Sequence, residues 1–411
     1  MQETIIPSGP PTVPASIPFF KPNLGEEEIE EVIQTLRSGW LTTGPKTKQF
    51  EAEFSQYLGV GHSVAVNSCT AALHIALEAV GLREGQGVLL PTMTFAATAE
   101  VVRYFKATPL LVDCRSEDLN MDLTKAGHGF ETARARGVEV PVVIPMHYGG
   151  QIGEVPDLLR LAHRHGMKIV EDAAHCLPGK YRETPSHPWR SVGSFSEVSC
   201  YSFYANKCIT TGEGGMACTN QAALAERMRI MALHGISRDA WKRFMADGSW
   251  YYEIVAPGFK YNLTDIAAAI GIHQLRKADE LHARRVWVAG AYERLLSDIE
   301  ELELPREFPN RIHSWHLYVV RLNLNRLRLD RAAFVTELKR RGIGTSVHWM
   351  PLHMHPYYRE TYGFKREDFP VAASMYDRII SLPIFPDMTE AQVEFIAAAI
   401  RDIIARNLKG N

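Results

Sequence analysis

Residues 142–172 read VVIPMHYGGQIGEVPDLLRLAHRHGMKIVED, which is a short apolar run, a helix-period segment and a second apolar run. The two runs, at 142–148 and 168–172, are rich in Val and Ile, and the segment at 155–166 has helical spacing. Strands that alternate with helices in this way are typical of a parallel sheet covered on both faces. The glycines at 149, 150 and 153 lack the spacing of a dinucleotide-binding loop, so we interpret them as a turn.

The same alternation extends outward from this stretch, from residue 62 to about residue 220. Further apolar runs lie at 63–67, 87–91, 109–113 and 198–204. Helical spacing is found at 25–37, 45–58 and 70–82. The pattern predicts an α/β fold with a mainly parallel central sheet and helices on both of its faces.

The C-terminal third of the chain has no regular alternation. An Ala-rich helix at 264–284, with Thr264 as its N-cap, is placed to link two domains. Beyond it we predict strands at 315–324 and 344–349 and helices at 330–341 and 389–407, which indicates a smaller α+β domain. The first 17 residues contain four prolines. We therefore divide the chain into a flexible arm (1–17), a large domain (18–263) and a C-terminal domain that includes the linking helix (264–411).

Composition excludes several classes of protein. With 45 basic and 47 acidic residues in 411, the chain has no overall field that would recruit nucleic acid or an anionic membrane. Its longest apolar stretches are of strand length, so we expect no transmembrane helix. Six cysteines without a CxxC pair indicate reduced thiols in a cytoplasmic protein of enzyme size.

Four chemical groups follow predicted strands, where the sites of doubly wound sheets lie. Ser68-Cys69-Thr70-Ala71 begins a helix whose free N–H groups favour a phosphate, although Ser68 could be an ordinary N-cap. Phe95 could stack on a flat ring or belong to the core. Asp172 ends a buried strand and needs a cation or hydrogen-bond donors, and His175 could touch the same ligand or simply pack. Lys207 stands beside a Gly-rich loop and is placed as an imine-forming amine, although a solvated surface lysine is the alternative.

Taken together, these groups match the needs of pyridoxal 5'-phosphate. That cofactor requires a lysine, an acid for its ring nitrogen, a stacking group and a phosphate cup. Three histidines in SVHWMPLHMHP, at 348, 353 and 355, could in principle bind a metal. No Cys or acid joins them locally, so we predict no metal site.

Several motifs in this order resemble the DegT/DnrJ/EryC1/StrS sugar aminotransferases. They are WLTTGPK (40–46), NSCTAA (67–72), EDAAH (171–175), SFYANK (202–207), TGEGG (211–215), GFKYNLTD (258–265), HSWHL (313–317) and SLPIFPDMT (381–389). The resemblance runs from about residue 18 to the C-terminus. Within the family it is greatest to the members that make UDP-4-amino-4-deoxy-L-arabinose.

The resemblance implies a fold-type I, pyridoxal-phosphate-dependent enzyme and a role for each matching residue. Lys207 would form the imine with the cofactor, Asp172 would pair with its ring nitrogen, and Phe95 would take the stacking position. Thr70, the backbone at Ala71, and Ser202 would hold the phosphate, with Asn262 reaching it from the neighbouring subunit of a homodimer. His313 and His348 fall in segments that line the substrate cleft in relatives.

The resemblance also implies the reaction. L-glutamate would donate its amino group to a nucleotide-linked keto sugar, with a 4-keto sugar favoured over a 3-keto sugar or a keto-inositol. A non-catalytic, cofactor-binding regulatory protein on the same fold is the alternative from another class. An oxidoreductase is a third, but the chain lacks its glycine loop.

Overall fold

The computed structural model describes residues 16–237 and 252–409. Most of the predicted N-terminal arm, residues 1–15, therefore lies outside the described residues. Its last residue, Ile17, is buried against the C-terminal core. The backbone of Ile17 donates to the Gly342 carbonyl and accepts from the Gly344 amide, each over 2.8 Å. This end of the arm is therefore fixed to the second half of the chain.

The strands belong to one large sheet and two small ones. In chain order they are β1 (His62–Val66), β2 (Gly87–Pro91), β3 (Thr108–Val112), β4 (Val142–Val143), β5 (Lys168–Asp172), β6 (Lys180–Tyr181), β7 (Arg190–Ser191), β8 (Val198–Ser202), β9 (Gly215–Thr219), β10 (Leu302–Glu303), β11 (Arg311–Ile312), β12 (Tyr318–Leu322) and β13 (Ile379–Leu382). The large sheet has the order β1-β9-β8-β5-β4-β2-β3. Its pairs from β8 to β3 are parallel, whereas β9 runs antiparallel to both of its neighbours. The predicted mainly parallel sheet is confirmed.

The helices alternate with these strands in the first half of the chain. They are α1 (Glu26–Ser38), α2 (Pro45–Leu58), α3 (Cys69–Ala79), α4 (Ala96–Tyr104), α5 (Leu123–Ala135), α6 (Val155–His165), α7 (Ala222–Ala232), α8 (Asp265–Arg276), α9 (Ala278–Leu296), α10 (Arg331–Arg340), α11 (Pro356–Tyr362), α12 (Pro370–Tyr376) and α13 (Glu390–Ala405). Among the described residues, none of the helices is both long and apolar enough to span a bilayer.

Both faces of the large sheet are covered, as alternate side chains of a central strand show. Val88 and Leu90 of β2 pack in one core with α3 and α4, and Leu89 between them packs in another with α5 and α6. This double burial explains the nearly continuous apolar runs in the sequence.

Three details differ from the sequence-based expectation. The strand β9 was not predicted, because GMACT follows a Gly-rich loop and lacks β-branched residues until its end. The predicted helix at 264–284 is two helices, α8 and α9, which meet at Lys277. The predicted strand at 344–349 is wrong, since this segment makes only an isolated bridge, between Ser346 and Ser381.

The C-terminal half has its own core. There β10, β12 and β13 form an antiparallel sheet against α9, α10 and α13. Thr264 caps α8 as predicted, accepting from the Ala267 amide over 3.2 Å. This core faces the carboxyl ends of the parallel strands, because the 313–317 segment that enters β12 is hydrogen-bonded to Gly149 and Gly150.

Candidate active site

The ends of three neighbouring strands meet at one edge of the large sheet. Ser202, the last residue of β8, pairs with Gly215 at the start of β9, and Gly215 in turn pairs with Val66 at the end of β1. A Cβ at Gly215 would lie 2.5 Å from the carbonyl carbon of Ser68, so only glycine permits this approach. The register therefore brings Ser202 next to the N-terminus of α3.

Asp172 ends β5 at the same edge and is buried, with 4% of its surface exposed. Its Oδ2 accepts from the Thr98 hydroxyl over 2.7 Å, and its Oδ1 accepts from the Ala174 amide over 3.2 Å. Burial raises the pKa of this carboxyl, and the hydrogen bonds from Thr98 and Ala174 and the charge of Lys207 only partly oppose that rise. Such a carboxylate favours a ligand that brings a cationic N–H group.

Lys207 follows β8 on a tight turn, in which its amide donates to the Tyr204 carbonyl over 2.9 Å. Burial lowers the pKa of its amine, and the negative charge of Asp172 partly opposes this shift. Among the residues that the structure describes, Asp172 acts on this amine through its charge and not through a hydrogen bond. A desolvated amine without a salt bridge is the form of lysine that reacts with carbonyl groups.

The first turn of α3 provides the anion-binding groups. The Ser68 side chain caps the helix by accepting from the Ala71 amide over 3.1 Å. The ordinary N-cap that was one interpretation of Ser68 is therefore present, and the Ala71 amide is already engaged. The amides of Cys69 and Thr70 belong to the helix positions that lack a partner within the helix. The Ser202 hydroxyl, across Gly215, accepts from the Tyr204 amide over 3.3 Å.

Aromatic and imidazole rings from several elements form one connected cluster. Phe95 immediately precedes α4 and is 57% exposed, so it does not belong to the core. Its ring centroid is 6.3 Å from that of Trp349, whose ring stacks on His175 at 5.1 Å. His175 in turn lies 4.1 Å from His316. Burial lowers the pKa of both imidazoles well below the usual range, so both are neutral at pH 7.

The two histidines predicted to line the substrate cleft are placed differently. Burial lowers the His348 pKa to about 4, and the positive charge of Lys207 adds to this shift. The Nδ1 of His348 shares a hydrogen bond of 2.8 Å with the Ser381 hydroxyl. His313 instead stacks on Trp315 at 4.0 Å, and its Nδ1 accepts from the Trp315 amide. Burial lowers its pKa to about 3. The structure thus places His348 within electrostatic range of Lys207, while the ring of His313 is stacked on Trp315.

Sequence reasoning missed three residues of the site. Thr98 donates to Asp172, Trp349 stacks on His175, and His316 is a buried imidazole whose two ring nitrogens have no hydrogen-bond partner among the described residues. The sequence did contain indications of these residues. Thr98 lies one turn after the candidate Phe95, His316 lies in the HSWHL motif, and Trp349 lies in the SVHWMPLHMHP segment. Nothing local showed that these side chains point towards Asp172 and His175.

The three histidines weighed as metal ligands are engaged elsewhere. His353 shares a hydrogen bond of 2.8 Å with the Thr92 hydroxyl, and His355 shares one of 3.1 Å with the Met350 carbonyl. In residues 16–237 and 252–409 there is no group of three or more His, Cys, Asp or Glu side chains arranged to hold a metal ion.

The donor set fits pyridoxal phosphate group by group. A buried carboxylate of raised pKa suits a protonated ring nitrogen, and a desolvated amine suits an aldehyde. Gly215 pairs with Ser202 and closely approaches the backbone at Ser68, so the N-terminus of α3 and the hydroxyls of Ser68 and Ser202 lie together at one edge of the sheet, as a phosphate cup requires. The side chains present would therefore hold each part of that cofactor.

Comparisons with known proteins agree with this chemistry. A family model described as the DegT/DnrJ/EryC1/StrS aminotransferase family matches residues 22–401. The chain is 41% identical over 389 residues to the spore coat polysaccharide biosynthesis protein SpsC of Bacillus subtilis, covering 94% of this chain and 97% of that protein.

Solved structures match over nearly the whole chain as well. Spr1654 from Streptococcus pneumoniae, described as a candidate sugar aminotransferase and solved in its PMP form, has a TM-score of 0.86 and 30% identity, covering 95% of this chain and 99% of that one. Its PLP form has a TM-score of 0.85. PseC from Helicobacter pylori, an aminotransferase involved in the biosynthesis of pseudoaminic acid, has a TM-score of 0.84 and 25% identity over 95% of this chain and all of that one.

Proposed function

The chain belongs to the DegT/DnrJ/EryC1/StrS aminotransferase family, and on this premise we propose that it transfers the amino group of L-glutamate to a nucleotide-linked 4-keto sugar. It is a pyridoxal-phosphate-dependent sugar aminotransferase of fold type I. The observation that carries the proposal is the buried Asp172 carboxylate within the electrostatic reach of the Lys207 amine. A keto-sugar acceptor and an amino donor follow from the family, and their exact identities are the proposed part.

Lys207 and Asp172 have complementary tasks. When bound, pyridoxal phosphate supplies a carbonyl carbon that takes up the amino group and a ring that accepts electrons. Lys207 would hold the cofactor in the resting enzyme and, as a free amine, would act as the base that takes a proton from the α-carbon of glutamate. Its lowered pKa leaves more of the amine unprotonated near neutral pH, as a base requires. Asp172 would accept a charge-assisted hydrogen bond from the ring nitrogen and so keep that nitrogen protonated.

We assign phosphate binding to the cup between α3 and β8. Thr70, the backbone at Ala71, and the hydroxyls of Ser68 and Ser202 supply its polar groups, and the positive end of α3 favours the negative charge. The Ala71 amide donates to Ser68 in this structure and would exchange that hydrogen bond for one to the phosphate, whereas the amides of Cys69 and Thr70 have no partner within the helix. Asn262 completes the cup of the neighbouring subunit, so the working enzyme is a homodimer with shared sites.

The rings around Lys207 suit a sugar substrate. A neutral imidazole can donate or accept a hydrogen bond without adding charge, which matches the hydroxyl groups of a sugar. His348, His175 and His316 are all held neutral by burial. We assign Phe95 to stacking on the cofactor ring, because it is an exposed aromatic side chain one turn before Thr98, which is hydrogen-bonded to Asp172. We assign His313 to the edge of the substrate cleft, where stacking on Trp315 holds its ring in place.

We place the reaction in the cytoplasm, without a nucleic-acid or membrane partner. The six cysteines are all free thiols, as a reducing compartment maintains. The net charge of −2 supplies no general attraction to polyanions.

The proposal is tested in two stages with purified holoenzyme. L-glutamate alone should convert the bound PLP to its amino form and release 2-oxoglutarate, and Lys207→Ala is the matched control that should do neither. A panel of keto-sugar nucleotides and a keto-inositol is then added, with mass spectrometry of the products. We expect amination of a 4-keto sugar. Absence of 2-oxoglutarate would favour the regulatory, non-catalytic alternative, and amination of only the 3-keto sugar or the keto-inositol would contradict the proposed acceptor.

A further inference from the structure

The loop at 40–44 and the segment at 262–265 are hydrogen-bonded to each other although they are far apart in sequence. The Thr43 hydroxyl donates to the Leu263 carbonyl over 2.5 Å and accepts from the Asn262 Nδ2 over 2.7 Å. The amide of Asp265 donates to the Thr42 carbonyl over 3.2 Å. We call this pair of segments the 43–262 latch.

Asp265, the last residue of the 262–265 segment, fixes that segment to the start of α2. It is 1% exposed, and its carboxylate accepts from the amides of Gly44, Lys46 and Thr47 over 2.7–3.0 Å. It therefore caps α2 from another helix, where the positive end of the helix dipole stabilises it. A Cβ at Gly44 would lie 1.8 Å from the Trp40 indole, so the loop is packed against its own tryptophan as well.

The latch also contacts the strand that leads into the phosphate cup. Asn262 forms a bridge with Val66, the last residue of β1, and the Asn67 amide donates to the Tyr261 carbonyl over 2.7 Å. Ser68 follows directly. The latch is therefore anchored to β1 of its own subunit, which gives Asn262 a fixed backbone from which its side chain can be presented to the neighbouring subunit.

The hydrogen-bond directions fix the orientation of the Asn262 amide. The single proton of the Thr43 hydroxyl is committed to the Leu263 carbonyl, so toward Asn262 that oxygen can only accept. The NH₂ group of Asn262 must face Thr43, and its oxygen faces the Lys260 ammonium, to which it is hydrogen-bonded. Of the two amide protons, one is held by Thr43 and the other is left to donate to a ligand.

We propose that Thr43 is a positioning residue of the shared cofactor site, which turns the free N–H of Asn262 toward the phosphate of the pyridoxal phosphate bound in the neighbouring subunit. This inference rests on the proposed assignment of Asn262 to the phosphate. It adds that the orientation of Asn262 is set by a hydroxyl 219 residues away in sequence. A phosphate oxygen would accept a hydrogen bond from the remaining N–H of Asn262. If the amide were flipped or free to rotate, that N–H would face the phosphate only part of the time.

The test measures how fast the holoenzyme loses PLP on dilution, together with the melting temperature of the apoenzyme. Thr43→Val keeps the shape and removes the hydroxyl, and we expect PLP loss to be about fivefold faster, the effect of one ordinary hydrogen bond. Thr43→Ser keeps the hydroxyl and should be within about twofold of the wild type. Thr42→Val, at the neighbouring exposed position, is the matched control and should match the wild type.

A double-mutant cycle separates positioning from general stability. If Thr43 acts through Asn262, adding Thr43→Val to Asn262→Ala should not speed PLP loss further. The proposal is overturned if the two effects add, if Thr43→Val retains PLP like the wild type, or if Asn262→Ala does. Release of 2-oxoglutarate from glutamate by the wild type is scored separately, so a wrong donor assignment would leave this result untouched.

Discussion

Gly215→Ala is the substitution whose effect follows most directly from the geometry of the site. Gly215 joins β8 to β1 through β9, and its added Cβ would lie 2.5 Å from both the carbonyl carbon and the oxygen of Ser68 and 2.6 Å from the Cys69 amide nitrogen. Carbon atoms in contact are about 3.5–4.0 Å apart, so either β9 or the start of α3 must move by about 1 Å. The obstacle is backbone on both sides, which no side-chain rotation relieves.

We expect Gly215→Ala to lower both the free energy of unfolding and the affinity for PLP. Overpacking a tight site costs about 1–3 kcal/mol of unfolding free energy. A shift of this size at the phosphate cup also weakens at least one charge-assisted hydrogen bond, worth about 1.5–3 kcal/mol. PLP affinity should therefore fall at least about tenfold, which is 1.4 kcal/mol.

The assay is urea denaturation of the apoenzyme together with PLP titration followed by absorbance. Gly61→Ala is the matched control, because Gly61 lies at the opposite end of the same β1–β9 pairing, where an added Cβ would be an ordinary 3.6 Å from Asn220. We expect the control to bind PLP like the wild type. Equal stability and equal PLP affinity for the two variants would refute the reasoning about this cup.

Two further predictions concern residues of the site, and a third concerns the effect of pH on stability. Lys207→Ala should lose both turnover and the absorbance of enzyme-bound PLP, and turnover at the wild-type rate would refute its role. Asp172→Asn should retain PLP yet slow 2-oxoglutarate release at least about 100-fold, the scale of proton-transfer catalysis, measured by stopped-flow with glutamate. His74 and His348 are buried, with pKa values lowered to about 4, so the unfolded chain binds protons more readily between pH 6.5 and pH 4. The melting temperature of the apoenzyme should therefore fall as the pH drops through that window, and a constant value would contradict this.

Most elements of the large sheet were predictable because each has its own local sequence pattern. The apolar run at 168–172 and the segment at 155–166 match β5 and α6 closely, since a strand buried on both faces is apolar throughout and a helix repeats every 3.6 residues. Asp172, at the end of β5, could be predicted as a functional residue because carboxylates are rarely buried.

Long-range pairing was not predictable from local pattern. β9 is a strand only because β1 and β8 flank it, and GMACT carries little of that information. Residues 344–349 alternate like a strand, yet His348 stacks on Phe19 and Trp349 on His175, so this segment packs through its side chains into the site. His316 and Thr98 were missed for the same reason: what makes them part of the site is a neighbour from another element.

Identification of the lysine that binds PLP tests the central claim most directly. Borohydride reduction of the holoenzyme fixes the cofactor to the amine that holds it, and peptide mass spectrometry then locates the modified residue. We predict that the label lies on Lys207 in the wild type and that Asp172→Asn carries it on the same residue. A label on any other lysine would contradict the account.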